Sequence, residues 1–204
     1  MRKRFIPIYF FVILLIISSI FFIGCSNGDS PKKTVEAVLT SIQNKDFNAI
    51  GQYISESANE KLNKGLNGEL DKEFGELKEP LINLVSKVQF KILDEKVSGD
   101  NAQVQVELTV DDLGDQIIKA MPDIMSSAIV SSFSGESKEK IEEKLRQKVK
   151  EILNTQLPKK TETETVYLKK VNDKWVLEEN EKNKDFIFML LGNFEPIEYM
   201  LQKF

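Results

Sequence analysis

The chemistry open to this 204-residue chain is narrow, because it contains one cysteine, Cys25, and no histidine. Without an imidazole it lacks the commonest general base, the commonest zinc ligand and the base of the Ser-His-Asp and Cys-His systems. Any catalysis would have to depend on carboxylates, lysines or tyrosines alone. We therefore predict no catalytic residue, no metal site and no cofactor, which leaves the thiol of Cys25 as the first group to consider.

Cys25 ends a segment with the marks of a secretory signal. Its basic head is Arg2-Lys3-Arg4, residues 5–23 are nearly all apolar, and Gly24 is the small residue before the cleavage point. A hydrophobic run of 18 or more residues can also span a bilayer as an uncleaved helix, so that alternative stays open. Basic residues stay on the cytoplasmic side, so both alternatives place the rest of the chain beyond the outer face of the membrane.

The sequence around Cys25 resembles the lipobox of bacterial lipoproteins, which usually reads Leu-Ala-Gly-Cys. Gly24 and Cys25 match, Ile23 is acceptable, and Phe22 is bulkier than the usual aliphatic residue. The resemblance implies cleavage between Gly24 and Cys25, with fatty acids such as palmitate attached at Cys25. Residues 1–24 would then be a signal peptide and residues 25–30 a lipidated N-terminus with a short spacer. Two or more acyl chains hold a protein stably on a membrane, whereas one does not.

The chain beyond the leader is acidic. It has 25 basic and 32 acidic residues, a net charge of −7, so we predict no nucleic-acid partner. About 180 residues are enough for one domain with its own core. No cysteine follows Cys25, so packing rather than disulfides must hold that core. We predict a single domain over residues 31–204.

A second pattern that could have a chemical role is formed by Asp111, Asp112 and Asp115. Its DDxxD spacing resembles the magnesium-binding motif of prenyl-transferring enzymes, in which carboxylates one helical turn apart share a cation. Those enzymes are larger, all-helical and have a second acidic cluster that this sequence lacks. Carboxylates also stabilise the positive end of a helix. We interpret the three residues as the cap and first turn of a helix that follows a strand.

The spacing of apolar residues predicts helices at the start of the domain. Ser30 and Pro31 suit the cap and first turn of one helix, and Asp46 caps a short second helix. Residues 57–60 read as a capping box for a third helix, which its glycines loosen or break before Pro80 interrupts it. The apolar stripe of the first helix is Val35, Val38, Leu39 and Ile42.

Alternating apolar and polar residues predict two antiparallel strand pairs, and hence an α+β fold. The first pair covers residues 88–92 and 102–110, and the second flanks the tight turn at Asn172-Asp173. Residues 111–158 are predicted to be helical, with a serine-rich break at 131–137. The apolar tail from Phe186 is predicted to close the open end of the sheet, the alternative being a helix that binds a partner or dips into the membrane. The first helix of the 111–158 segment has a predicted apolar set of Leu113, Ile117, Ile118, Met121, Met125 and Ile129.

This order of elements resembles small Gram-positive lipoproteins with a nuclear-transport-factor-2-like (cystatin-like) domain. The similar stretches are PKKTVEAVL from residue 31, NKDFNAI from 44, VNDKWV from 171 and MLLGNFE from 189. The resemblance implies N-terminal helices packed on a curved antiparallel sheet, a cystatin-like roll, with residues 111–158 as a helical insertion between strands. It also implies a pocket between helices and sheet. Aromatic residues that could line that pocket, or simply belong to the core, are Tyr53, Phe90, Tyr167 and Trp175.

Two functions follow as expectations. The first is a lipid-anchored, non-catalytic binding or interaction module at the outer face of the cytoplasmic membrane, with an envelope protein or a small ligand as its partner. The alternative is an isomerase- or dehydratase-like enzyme that uses a carboxylate base in the sheet–helix pocket. That enzyme requires an inward-pointing Asp or Glu, and the alternation places no acidic strand residue clearly on the apolar face.

Overall fold

The computed structural model describes residues 30–69, 74–179 and 181–194 and shows an α+β fold with a four-stranded antiparallel sheet. The sheet order follows the chain order, β1-β2-β3-β4. The predicted signal segment, Cys25 and the last ten residues of the apolar tail lie outside the described residues. The strands are β1 (Gln89–Ser98), β2 (Asn101–Asp111), β3 (Lys159–Val171) and β4 (Lys174–Leu177).

The α-helices in the described ranges precede the sheet, connect its second and third strands, and follow its last strand. Short turns of tighter or wider helix connect some of them, at Gly51–Tyr53, Gly65–Glu69, Gly75–Leu77 and Glu181–Asn183. The α-helices are α1 (Pro31–Gln43), α2 (Phe47–Ile50), α3 (Glu56–Lys64), α4 (Lys78–Val85), α5 (Leu113–Phe133), α6 (Lys138–Leu153) and α7 (Lys184–Leu190).

The predicted starts of α1 and α2 are confirmed. The Ser30 hydroxyl accepts a hydrogen bond from the Lys33 amide at 3.3 Å, and Pro31 occupies the first turn, where a missing N–H has no cost. Asp46 accepts from the Ala49 amide at 3.2 Å. Both caps satisfy amide groups that have no acceptor within the helix, so local chemistry alone sets these two boundaries.

Two predictions about the next helices are wrong. The cap of α3 is Ser55, which accepts from the Ala58 amide at 3.1 Å, and Ser57 lies inside the helix. Pro80 does not interrupt a helix but lies in the first turn of α4. That position tolerates proline because amides of the first turn need no intrahelical acceptor. The predicted loosening is confirmed, since Gly68 and Gly75 adopt positive φ angles of 114° and 52°.

The sheet has one face in the core and one face that is mostly polar. Five alternate residues of β2 are at most 3% exposed, which confirms the predicted alternation. The β3–β4 hairpin turns at Asn172 and Asp173, whose φ angles of 49° and 64° are those of a type I′ turn. The buried residues of β2 are Ala102, Val104, Val106, Leu108 and Val110.

The main core lies between this face and helices α1 and α7. The predicted stripe of α1 is buried, and Phe186 and Met189 of α7 are each 2% exposed. The described part of the apolar tail therefore packs against the core face of the sheet. The tail then turns at Gly192 and Asn193, where the backbone runs so close to α5 that a Cβ atom on Gly114 would lie 2.0 Å from the Asn193 carbonyl oxygen.

Helices α5 and α6 form a hairpin between β2 and β3 and pack with α4 around a second core. Its buried residues are Leu84, Leu113, Ile117, Ile152 and Leu157. Within the described ranges, no helix combines the length and the apolar character needed to cross a bilayer.

The predicted apolar set of α5 does not form a single buried face. Leu113 and Ile117 are buried, whereas Ile118, Met125 and Ile129 are more than half exposed. The helix also continues to Phe133, so the predicted serine-rich break begins at Ser134. Only the first turns of α5 lie against the second core, and the spacing of seven and four residues places the exposed members on another face.

Candidate functional site

A cleft of about 460 Å³ opens where β2 ends and β3 begins. We call it the Asp111 cleft. One side is formed by α4 and the residue that follows it closely, Lys87, and the other by the end of α6 and its connection to β3. The lining residues are Pro80, Asn83, Leu84, Lys87, Asp111, Leu153, Asn154, Thr155, Gln156, Leu157 and Lys159.

The charged centre of the cleft is a carboxylate between two ammonium groups. Asp111 Oδ1 lies 2.8 Å from Lys159 Nζ, and Asp111 Oδ2 lies 3.5 Å from Lys87 Nζ. The side chain of Asp111 is only 10% exposed, whereas those of Lys87 and Lys159 are 62% and 49% exposed. The three groups leave one net positive charge, and the cations are the part that solvent reaches.

The three groups meet because of the register of the sheet. Asp111 is the last residue of β2 and pairs directly with Lys159, the first residue of β3. Lys87 comes from the turn between α4 and β1, two residues before β1 starts. An aspartate and a lysine opposite each other on neighbouring strands attract, so the pair also stabilises this end of the sheet.

Uncharged polar groups and leucines complete the lining. Asn83, Asn154 and Gln156 bring side-chain amides, each with donor and acceptor atoms. The Thr155 hydroxyl donates to the Ile152 carbonyl at 2.7 Å, which closes the end of α6. Leu84 and Leu157 are buried members of the second core and supply an apolar wall. The arrangement can therefore contact both a charged group and an apolar group of one small molecule.

The DDxxD carboxylates do not converge. Asp112 Oδ1 accepts from the Asp115 amide at 3.0 Å, so the predicted capping of α5 is confirmed. The same oxygen accepts from Asn193 Nδ2 at 2.9 Å, and Asp115 pairs with Lys119 at 2.5 Å. Asp111 points into the cleft. No group of three His, Cys, Asp or Glu residues suited to a metal ion occurs in the part of the chain that is described.

Three of the four predicted pocket aromatics belong to the main core. Trp175 is 7% exposed, and Tyr53 and Phe90 pack against the same cluster. Tyr167 alternates with the buried residues Val166 and Leu168, so it lies on the other face of the sheet, where Lys182 Nζ is 5.4 Å from its ring centre. None of the four lines the Asp111 cleft.

β3 carries an acidic residue on the core-facing side, contrary to the sequence-based expectation. Glu164 pairs with the buried Val106 and lies two residues before the buried Val166. Burial raises the pKa of the Glu164 carboxyl above its usual 4.5, and the nearby charges of Asp185 and Glu162 raise it further. The alternation of residues 161–165 did not reveal this, since threonines and glutamates alternate there.

The fold and the cleft together define an α+β protein with a polar cleft at one end of an antiparallel sheet. No family model, no curated protein and no solved structure matches the chain.

Proposed function

We propose that the protein is a lipid-anchored, non-catalytic binding module at the outer face of the cytoplasmic membrane, and that the Asp111 cleft is its ligand site. The main support for the ligand site is that the partly exposed ammonium groups of Lys87 and Lys159 converge on the nearly buried carboxylate of Asp111. The anchor is supported by the lipobox-like sequence that ends at Cys25, and the outer location by the basic head before it.

The chemistry of the cleft favours binding over catalysis. Each oxygen of Asp111 already faces an ammonium group, so abstraction of a substrate proton by Asp111 would have to disrupt an ion pair. The Thr155 hydroxyl lines the cleft and donates to a backbone carbonyl. The lining contains no base for it other than Lys87 and Lys159, which are both paired with Asp111. Nucleophilic catalysis needs such a base.

The finer assignment of the fold is also a proposal. We infer a cystatin-like roll of the nuclear-transport-factor-2-like type, with residues 111–158 as a helical insertion. Support comes from the two N-terminal helices, of which α1 packs on the core face of the sheet, and from the position of α5 and α6 between β2 and β3. Such domains host ligand sites and active sites alike, so the fold does not decide between the two functions.

Glu164 favours the second candidate function, an isomerase- or dehydratase-like enzyme. A partly buried carboxyl with a raised pKa is the type of group that acts as a general base or acid. However, Glu164 lies beside the carboxylate of Asp185 in α7 and does not line the Asp111 cleft. The binding function therefore remains the better supported proposal.

Ligand-observed NMR on the full chain in a zwitterionic detergent separates the two functions. The protein is incubated with a panel of small envelope-derived and metabolic compounds, and both saturation transfer and the ligand spectra are followed over hours. We expect saturation transfer to at least one compound, lost in Lys87→Gln, with the compound recovered unchanged. Conversion of a compound that is abolished by Glu164→Gln and retained in Lys87→Gln would contradict the proposal.

A further inference from the structure

We propose that the Asp111 cleft selects a small organic anion, a carboxylate or phosphate joined to a short apolar group, whose charge bridges Lys87 and Lys159. This inference rests on the proposed function, since it names the ligand class of the same site.

The sign of the ligand's charge follows from unequal exposure. A ligand that enters the cleft meets Lys87 and Lys159, which are 62% and 49% exposed, before it meets Asp111, which is 10% exposed. An ammonium group has three N–H donors, and Asp111 uses one oxygen for each lysine, so donors remain for an incoming acceptor. A cation would find the only carboxylate of the lining covered by two like charges. The cleft therefore favours an anion.

Asp111 holds the ammonium groups of Lys87 and Lys159 close to each other. Two ammonium groups on flexible stems repel each other, and both would otherwise extend into water. A nearly covered carboxylate within 3.5 Å of both holds them together, while the sum of the three charges stays positive. A bound anion would then complete an alternating set of two cations and two anions, at little cost in side-chain ordering.

The rest of the lining limits the size and character of the ligand. A volume of about 460 Å³ lies in the range of small-molecule sites and is too small for a folded partner. Asn83, Asn154 and Gln156 can donate further hydrogen bonds to oxygen atoms, and the leucine wall suits a short hydrocarbon group. An inorganic ion alone would leave that wall unused.

The anion could belong to a free metabolite or to the headgroup of a lipid. The two ends of α1 contact opposite ends of β1. At the start of α1 the Lys32 amide donates to the Glu95 side chain, and at its end Gln43 Nε2 donates to the Val88 carbonyl, next to Lys87. Ser30 therefore lies about 20 Å from the α1 end that is next to Lys87, because 13 helical residues span that length. The anchored end and the cleft are at opposite ends of α1.

The test uses the full chain in zwitterionic detergent, with backbone amide NMR signals of residues around the cleft as the readout. The probes are hexanoate, hexyl phosphate, hexylammonium as the cationic control, and vesicles of phosphatidylcholine with and without phosphatidylglycerol. We expect both anions to bind with shifts centred on Asp111 and Lys159, and hexylammonium to cause none. Loss of one of the two cations should weaken anion binding by about fivefold or more.

Matched variants make the outcome specific to the cleft. Lys87→Gln and Lys159→Gln should each weaken binding, Lys87→Arg should retain most of it, and Lys169→Gln should have no effect. Lys169 is an exposed lysine on the same polar face but pairs with Asn101 at the other end of the sheet. Unfolding curves of each variant confirm that the fold is intact.

Equal effects of Lys169→Gln and Lys87→Gln, or equal binding of hexylammonium and hexanoate, would overturn the inference. It would also be overturned if neither soluble anion bound below about 10 mM, which is weaker than specific ligands show, and phosphatidylglycerol caused no shifts either. If an uncharged compound of the NMR panel bound at the cleft and neither anion did, the ligand class would be wrong and the proposed binding function would stay intact. Shifts with phosphatidylglycerol vesicles but not with the soluble anions would identify a lipid headgroup as the source of the anion.

Discussion

At the scale of single residues, the side chain of Asn183 takes the place of a strand. β4 ends at Leu177, the Glu178 amide adds one more bond to the Tyr167 carbonyl at 3.0 Å, and the buried side chain of Asn183 continues the pairing from there. Its Oδ1 accepts from the Tyr167 amide at 2.8 Å, and its Nδ2 donates to the carbonyls of Tyr167 and Glu178 at 2.9 and 2.8 Å. The sheet edge and the start of α7 are thereby joined.

Replacement of Asn183 should destabilise the domain strongly. Asn183→Ala removes three hydrogen bonds to partly buried backbone groups, and we expect the free energy of unfolding to fall by about 2–4 kcal/mol in urea denaturation. Asn48→Ala, at an exposed position of α2, is the control and should change it by less than about 0.5 kcal/mol. Equal effects of the two substitutions would mean that the Asn183 bonds do not form.

Glu179 joins the segment after β4 to α3. Hydrogen bonds from Lys61, Ser57 and Ser55 lower the pKa of its carboxyl from 4.5 to about 2. A depressed pKa in the folded state contributes stability above pH 4.5 that is lost as the pH falls toward 2. We expect NMR titration of the Glu179 side chain to give a midpoint near 2 in the wild type and a clearly higher midpoint in Lys61→Gln/Ser57→Ala, which retains only the Ser55 bond. A wild-type midpoint near 4.5 would contradict this contact.

Glu164 should have the opposite dependence on pH. Its pKa is raised by burial, so ionisation opposes folding at neutral pH, and Glu164→Gln should increase the free energy of unfolding at pH 7. The gain should shrink as the pH falls through the raised pKa and vanish below 4.5, where the carboxyl is protonated in both states. Denaturant unfolding at several pH values measures this gain in the free energy of unfolding, with Glu60→Gln at an exposed position as the control. Destabilisation at pH 7 would contradict the account.

At the scale of elements, α5 has an exposed apolar face that packs against no other element of the described structure. Phe133 is 89% exposed, and Val130 and Ile129 near it are more than half exposed. Phe133→Ser should therefore change the free energy of unfolding by less than about 0.5 kcal/mol, whereas Leu113→Ala, at a buried position of the same helix, should cost about 2–5 kcal/mol. Calorimetry on both variants measures the contrast. Similar losses would show that the exposed face is covered in solution.

The elements that local chemistry determines could be predicted from the sequence. Ser30 and Asp46 cap helices because their oxygens fit free amides, and Asn172-Asp173 turns a hairpin because both tolerate positive φ. The sequence misplaces the start of α3 by two residues because Ser55 and Ser57 are equally good caps by residue type. In the structure Ser55 caps α3, and the Ser57 hydroxyl donates to the Glu179 carboxylate.

The candidate site could not be predicted, because it depends on contacts between distant residues. Asp111 and Lys159 meet only through the β2–β3 register, and two helices separate them in the chain. Lys87 has no local signal that distinguishes it from other surface lysines. The aromatic residues were easier to see, yet Trp175 fills the core and Tyr167 lies on the opposite face.

At the scale of the whole molecule, the proposed anchor limits where the cleft can act. The five residue-to-residue steps from Cys25 to Ser30 reach about 18 Å when fully extended. The cleft lies beyond the far end of α1, so we expect it to open away from the anchored end and to be accessible to molecules in the envelope space. Residues 25–204 carry a net charge of −7, so we expect electrostatic repulsion to keep the anchored domain from lying flat on an anionic surface.

The attachment of this body to the membrane is tested most directly by the mass of its N-terminal peptide. Mass spectrometry is performed on protein from the membrane fraction of a Gram-positive host, with Cys25→Ala alongside. We predict a peptide that begins at Cys25 and carries a thioether-linked diacylglyceryl group, and no such peptide from the variant. A membrane-bound wild-type protein that begins at Met1 with an unmodified thiol would contradict the account.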